Sequence, residues 1–384
     1  MKTLFKTLAL CVTILSFTAC NANNKKQKFV VNTPEIAHPK PIKQFIKVAL
    51  LLDTSNSMDG LIDQAKAQLW EIVNELSYAK CGTEKTNLQI ALYEYGNDRL
   101  NGEEGHIRQV LAFSDDLDEI SKELFSLTTN GGNEYCGQVI QTSLHQLNLG
   151  ENPDDLKLIF IAGNEPFTQG KINYKDAATH AKEKDVTVNT IFCGDYNQGV
   201  STYWKDGADL AQGDYMAINH NKATVHIASP YDDQILQLNI KLNKTYVAYG
   251  RQGETKMRVQ AEQDANANGY SKANAVGRTV SKSSHLYKNS KWDLVDAVEN
   301  EEVVLEDLKK EALPEALKDK NVAEIKAYVA KKQAERKAIQ KKIQALNKKR
   351  KTYISEKQTD TSNGLENAMT KAIKTQAKKK KYTW

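Results

Sequence analysis

Asp53, Ser55 and Ser57 stand at alternate positions in the run Asp53-Thr54-Ser55-Asn56-Ser57. In a tight loop, that spacing lets one carboxylate and two hydroxyls converge on a single point. Such a set of oxygens suits a hard divalent cation, Mg²⁺ first and Mn²⁺ or Ca²⁺ after it, which keeps several of its waters. Ser and Asp also serve as turn and helix-capping residues, so the spacing alone reads either way. Its position favours the first reading. The run leaves the apolar stretch IKVALLL and precedes a segment with Leu61, Ala65, Leu69, Ile72, Val73 and Leu76 on one helical face. In open α/β sheets, ligands bind at the carboxyl ends of strands near the switch in strand order.

The elements that must hold this loop follow from periodicity. Nearly continuous apolar runs mark strands buried on both faces. They predict strands over 46–52, 88–95, 158–162 and 186–192, an edge strand over 106–113 and a short last strand over 214–218. Three-four spacing predicts helices over 60–76, 115–127 (with Ser114 as N-cap), 134–147, 174–184, 203–211 and 231–249. Strand and helix alternate, so the fold class is α/β, a doubly wound and mostly parallel sheet spanning residues 43–249. An α-helical region spans residues 250–384.

The stretch LLLDTSNSM resembles the von Willebrand factor type A domain. Asp53, Ser55 and Ser57 match the first motif of that family's metal-ion-dependent adhesion site (MIDAS). The resemblance covers roughly residues 43–249 and implies a binding module, not an enzyme, in which an acidic group of a protein partner completes the metal's coordination. The chain departs from the family at two points. Asn133 stands near where the second motif has Thr, and the strand of the third motif ends Ala162-Gly163-Asn164-Glu165 with no Asp. Glu134 and Glu165 supply the missing ligands on one reading. On the other, Glu134 is a first-turn helix residue favoured by the dipole and Glu165 a solvated loop acid. If the metal is lost, the chain is a metal-free scaffold that acts through its helical tail.

Other chemistry finds little support. An aspartyl-nucleophile phosphatase wants a second Asp where Ser55 stands, and neither a G-x-S-x-G elbow nor a P-loop occurs. His38, His106, His145, His180, His220, His226 and His285 show no metal-ligand spacing. Cys136 opens a helix and Cys193 ends a strand, both at the site edge, while Cys81 follows the first helix at the opposite edge. The expected disulfide is therefore Cys136 to Cys193.

The termini carry the remaining signals. Lys2 and Lys6 precede an apolar segment too short to span a bilayer, and Thr18-Ala19-Cys20 resembles a bacterial lipoprotein lipobox. Residues 1–19 read as a signal peptide and Cys20 as the lipidated residue. The polar, proline-containing segment 20–42 reads as a tether, which puts the protein in the cell envelope, on the periplasmic face or outer membrane. Residues 301–384 hold 22 basic and 12 acidic side chains, a net of +10 against −5 for the remainder. Nucleic acid is not expected as a partner in that compartment. Within 321–358, Val322, Ile325, Val329, Ile339, Ile343, Leu346 and Tyr353 form a coiled-coil-like seam that Lys332, Arg336 and Arg350 interrupt. It packs against other helices of the chain or serves self-association. Segment 251–290, rich in Ala, Asn, Gln and Ser, reads as one helix near 255–266 followed by loop.

Overall fold

In a computed structural model, residues 44–222, 227–357 and 365–384 are described. The expected signal peptide, the Cys20 anchor and the tether lie outside the described residues.

Nine residues of β1 (Phe45–Asp53) form the centre of a six-stranded sheet. Its order is β5 (Ile107–Ser114), β4 (Asn87–Tyr95), β1, β6 (Leu156–Gly163), β7 (Thr187–Cys193), β8 (Tyr215–Ile218). All neighbours pair in parallel except β4 with β5. The order reverses at β1, so the loop after Asp53 opens between β4 and β6, at the switch point. Burial on both faces explains why β1 reads as an unbroken apolar run. Ile46, Val48, Leu50 and Leu52 face one helical layer; Ala49 and Leu51 face the other. Lys47 is tolerated because its ammonium donates to the Leu149 carbonyl at 3.0 Å and pairs with Asp155 at 3.7 Å.

One face carries α1 (Asp59–Leu76) and α2 (Leu117–Ser126); the other carries α3 (Cys136–Gln146), α4 (Tyr174–Glu183), α5 (Tyr196–Ser201) and α6 (Trp204–Leu210). The N-cap of α2 is Asp116, which accepts from the backbone of Asp118 and Glu119, rather than the expected Ser114. Ser114 instead accepts from Asp116 N at 3.1 Å, one step earlier in the same turn.

The C-terminal region is helical and belongs to the same compact unit as the sheet, residues 43–384. It comprises α7 (Asp232–Asn243), α8 (Gly253–Tyr270), α9 (Lys272–Lys282), α10 (Leu294–Glu299), α11 (Glu315–Lys318), α12 (Val322–Lys357) and α13 (Leu365–Lys379). Helices α7, α9 and α12 form a layer outside α1, while α13 lies against α1 and β6. Leu365, Met369, Ala372, Ile373 and Ala377 of α13 enter the same core as Leu50 and Leu52. Much of the seam of α12 packs within the chain, with Val322 exposed, and of the three cations that break its apolar pattern Arg336 and Arg350 are buried while Lys332 is half-buried. Arg336 binds Asp293 at 2.6 Å and covers the Tyr246 ring, Arg350 meets Asp232 at 3.1 Å, and Lys332 donates to the Lys244 carbonyl. The stretch expected to be loop holds α9, all but one of whose residues are buried. A further small sheet joins β2 (Lys80–Cys81) to β3 (Glu84–Lys85) and to the chain's last strand, β9 (Tyr382–Thr383).

Candidate metal centre

Asp53 ends β1 fully buried, and its Oδ1 accepts the Ser55 N–H at 2.8 Å. The loop is pinned from both sides. Thr54 N donates to Tyr95 O at 2.9 Å, and Asn130 N donates to Thr54 O at 2.9 Å. A single 3₁₀ turn, Asn56–Met58, then feeds the chain into α1. Two glycines leave the room in which the carboxylates meet. A Cβ on Gly96 would stand 2.7 Å from Glu134 Cγ and 2.9 Å from Asp53 Oδ1. One on Gly163 would stand 2.5 Å from Tyr95 Oη and 3.0 Å from Asp53 Oδ2.

Three buried oxygens in this cradle, Asp53 Oδ2, Ser55 Oγ and Glu134 Oε2, have no hydrogen-bond partner among the described residues. Buried polar atoms are nearly always satisfied, so three orphans side by side require an explanation. Burial pushes the Asp53 carboxyl up to about 6. Burial, and then the facing negative charge of Asp53, push Glu134 up to about 9. Two desolvated acids in contact resist ionising together unless a cation is shared between them or one of them keeps its proton, as the raised Glu134 allows. Two carboxylates, a hydroxyl and open neighbouring positions match the oxygen-only donor set of Mg²⁺ or Mn²⁺. The residues therefore fit the metal that the family resemblance implies. No group of three or more His, Cys, Asp or Glu side chains able to hold a metal occurs among the described residues, so such a site would rest on two acids plus hydroxyls and water.

The expected residues divide. Asp53, Ser55 and Glu134 come together. Ser57 is exposed at the rim, where its Oγ accepts from Asn164 Nδ2 at 3.1 Å. Glu165 is exposed; its charge is felt at Asp53 and Glu134, but its carboxylate is engaged by Gln169 Nε2 at 3.1 Å. Asn133 is exposed, and its side chain makes no hydrogen bond among the described residues. Two participants escaped the sequence reading. Asn164 bridges the rim to Ser57 and keeps a buried, unpartnered Oδ1; its amide class hid it where an acid was sought. Gln169 spans the entrance, accepting from Glu134 N and donating to Glu165; nothing local in the sequence marks it.

The expected disulfide is absent: Cys136 and Cys193 are both free thiols. Their edge of the sheet is shared, but their faces are not. Cys193 points into the layer with α1, and Cys136 into the layer with α3, so the sheet itself separates them. Cys136 Sγ lies instead 3.9 Å from Tyr95 Oη, which donates to Ala162 O.

Part of the chain is similar to known proteins. Residues 47–206 match the family model described as von Willebrand factor type A domain. Among solved structures, the SpRpn10 VWA domain is 16% identical, with TM-score 0.34, over 45% of this chain and 87% of its own. BatB, a conserved hypothetical protein from Bacteroides thetaiotaomicron, is 16% identical, with TM-score 0.35, over 45% and 90%. Proximal thread matrix protein 1 from the mussel byssus, solved with a zinc-occupied MIDAS motif, is 16% identical, with TM-score 0.32, over 54% and 61%. No curated protein matches. The sheet built around β1, with the Asp53 loop at its switch point, is a von Willebrand factor type A domain.

Proposed function

We propose that this protein is an envelope-anchored binding module, not an enzyme, that engages an acidic group of a protein partner through a divalent cation at Asp53. The observation that carries the reading is the trio of buried, unpartnered oxygens, Asp53 Oδ2, Ser55 Oγ and Glu134 Oε2. Asp53 and Glu134 would hold the ion, with Ser55 and the rim hydroxyl of Ser57 adding neutral oxygens. A bound Mg²⁺ or Mn²⁺ supplies a positive point on which a partner's carboxylate docks. The chain's own residues set the geometry. The Ser55 N–H fixes one Asp53 oxygen and leaves the other free, and Gln169 holds the entrance by bonding Glu134 and Glu165. Membrane attachment rests on the sequence around Cys20, since no helix among the described residues is long and apolar enough to cross a membrane.

The test is a melting experiment. Binding to the folded state alone raises stability with ligand concentration, by about 2.7 kcal/mol at one hundred times the dissociation constant. Millimolar Mg²⁺ or Mn²⁺ should raise the melting temperature of the wild type and leave Asp53→Ala unmoved. A second reading, a metal-free scaffold, is favoured by the neutral Asn164 where the family pattern has an acid. If wild type and Asp53→Ala both ignore the metals, that reading stands and the first falls.

A further inference from the structure

The seven histidines have no metal-ligand spacing in sequence, yet the fold brings two of them together. His145 and His180 lie in the last turns of α3 and α4, with ring centroids 5.5 Å apart and planes tilted by 57°. Each helix leads back to the start of the next parallel strand. Both helices therefore end side by side, at the sheet edge opposite Asp53. His145 is exposed and His180 half-buried, so solvent reaches the pair. Neither imidazole makes a hydrogen bond or ion pair within the described residues. Their ring nitrogens are thus uncommitted.

The geometry points to a two-imidazole site for a divalent transition ion of the Zn²⁺, Ni²⁺ and Cu²⁺ group, separate from the Asp53 centre. With metal–nitrogen bonds of about 2.0–2.1 Å and a ring centre roughly 1.1–1.2 Å behind each nitrogen, two imidazoles on one ion hold their centres about 5.2 Å apart at the tetrahedral angle. The observed 5.5 Å matches an opening only slightly wider. Imidazole selects this class of ion over Mg²⁺, which prefers oxygen. The ends of α3 and α4 also carry the partial negative charge of their dipoles. Lys182 in the last turn of α4 opposes that charge, so the ion is held by coordination bonds rather than by a bulk field. Water fills the positions the two rings leave open.

Co²⁺, which shares these ligands and is paramagnetic, is the probe. The full chain is titrated with Co²⁺ in excess Mg²⁺ while the imidazole resonances are followed by NMR. The His145 and His180 signals should broaden first and together. His145→Ala and His180→Ala should each weaken Co²⁺ binding by about tenfold or more, while Asp53→Ala leaves it unchanged. His145→Gln and His180→Gln serve as second variants if either alanine form melts early. The inference is overturned if the two signals broaden no earlier than those of the remaining histidines, or if either single variant binds Co²⁺ like the wild type.

Discussion

Gly163 lies against Asp53 where no other residue fits. A methyl group there would meet Tyr95 Oη and Asp53 Oδ2, both held in place by β-strand backbone on either side. Overpacking of this kind costs about 1–3 kcal/mol. Gly163→Ala should therefore lower the melting temperature and also abolish the Mg²⁺-dependent rise, since the displaced atom is a proposed ligand. Paired melts with and without Mg²⁺ check both effects. Glu366 offers a second test at this scale. Burial, and then the negative charges of Glu71 and Glu75, push its carboxyl up to about 7. In the unfolded chain it titrates near the ordinary glutamate value. Between those values the folded state binds more protons than the unfolded state, so stability falls as pH rises through that window. The loss amounts to about 1–3 kcal/mol by pH 8, after allowance for partial exposure. Glu366→Gln should flatten the decline in denaturation midpoints measured from pH 5 to pH 8.

Helix α9 shows how two elements can be equally buried and unequally legible. Helix α1 announces itself by Leu, Ile and Val at three-four spacing. Helix α9 reads KANAVGRTVSK, and its polar letters hide a packed interior. Arg278 within it meets Asp118 of α2 at 2.8 Å and Asp264 of α8 at 2.6 Å, while Lys282 reaches the same Asp264 at 2.9 Å. Asp118 belongs to a distant helix and Asp264 lies 14 positions before Arg278, beyond the three-four spacing of one helix face, so no such pattern reveals that the charges are satisfied inside. The same limit applies to α13, whose apolar positions are diluted by lysines, and to the contact of Glu134 with Asp53, which depends on the course of the loop from α2 to α3. By contrast the Asp53 loop was legible, because one strand and one helix suffice to build it. Removing one partner of a buried pair strands the other, at a cost of about 3–5 kcal/mol. Arg336→Ala should show this in chemical denaturation, because it leaves the buried Asp293 unpaired. Arg336→Leu combined with Asp293→Asn should recover much of the loss.

At the scale of the molecule, the boundary expected near residue 250 does not divide two bodies. Helix α13 completes the layer beside α1, and Gln64 of α1 accepts from the Leu365 N–H that begins it. A fragment of residues 43–249 would leave Leu50, Leu52, Leu69 and Ile72 facing solvent where α13 now sits. It should therefore show no cooperative thermal transition by circular dichroism, whereas residues 43–384 should melt in a single step. Ile325, Val329 and Ile343 of the α12 seam are buried inside the chain, so self-association through them would require α12 to leave its neighbours. Sedimentation of the full chain should show no concentration-dependent growth that Ile343→Ala relieves.

The last strand also sets a timetable. Tyr382 Oη donates to the carbonyls of Phe45 and Asp154, and Thr383 pairs with Lys80, so the final residues close onto the beginning of the first strand. Contacts across 337 positions form late, because the entropy of closing so long a loop precedes any reward. These contacts cannot exist until residue 382 has been synthesised. Until then the sheet lacks α13, which covers part of one of its faces. The position of Tyr382 and Thr383 thus governs when the first strand is locked.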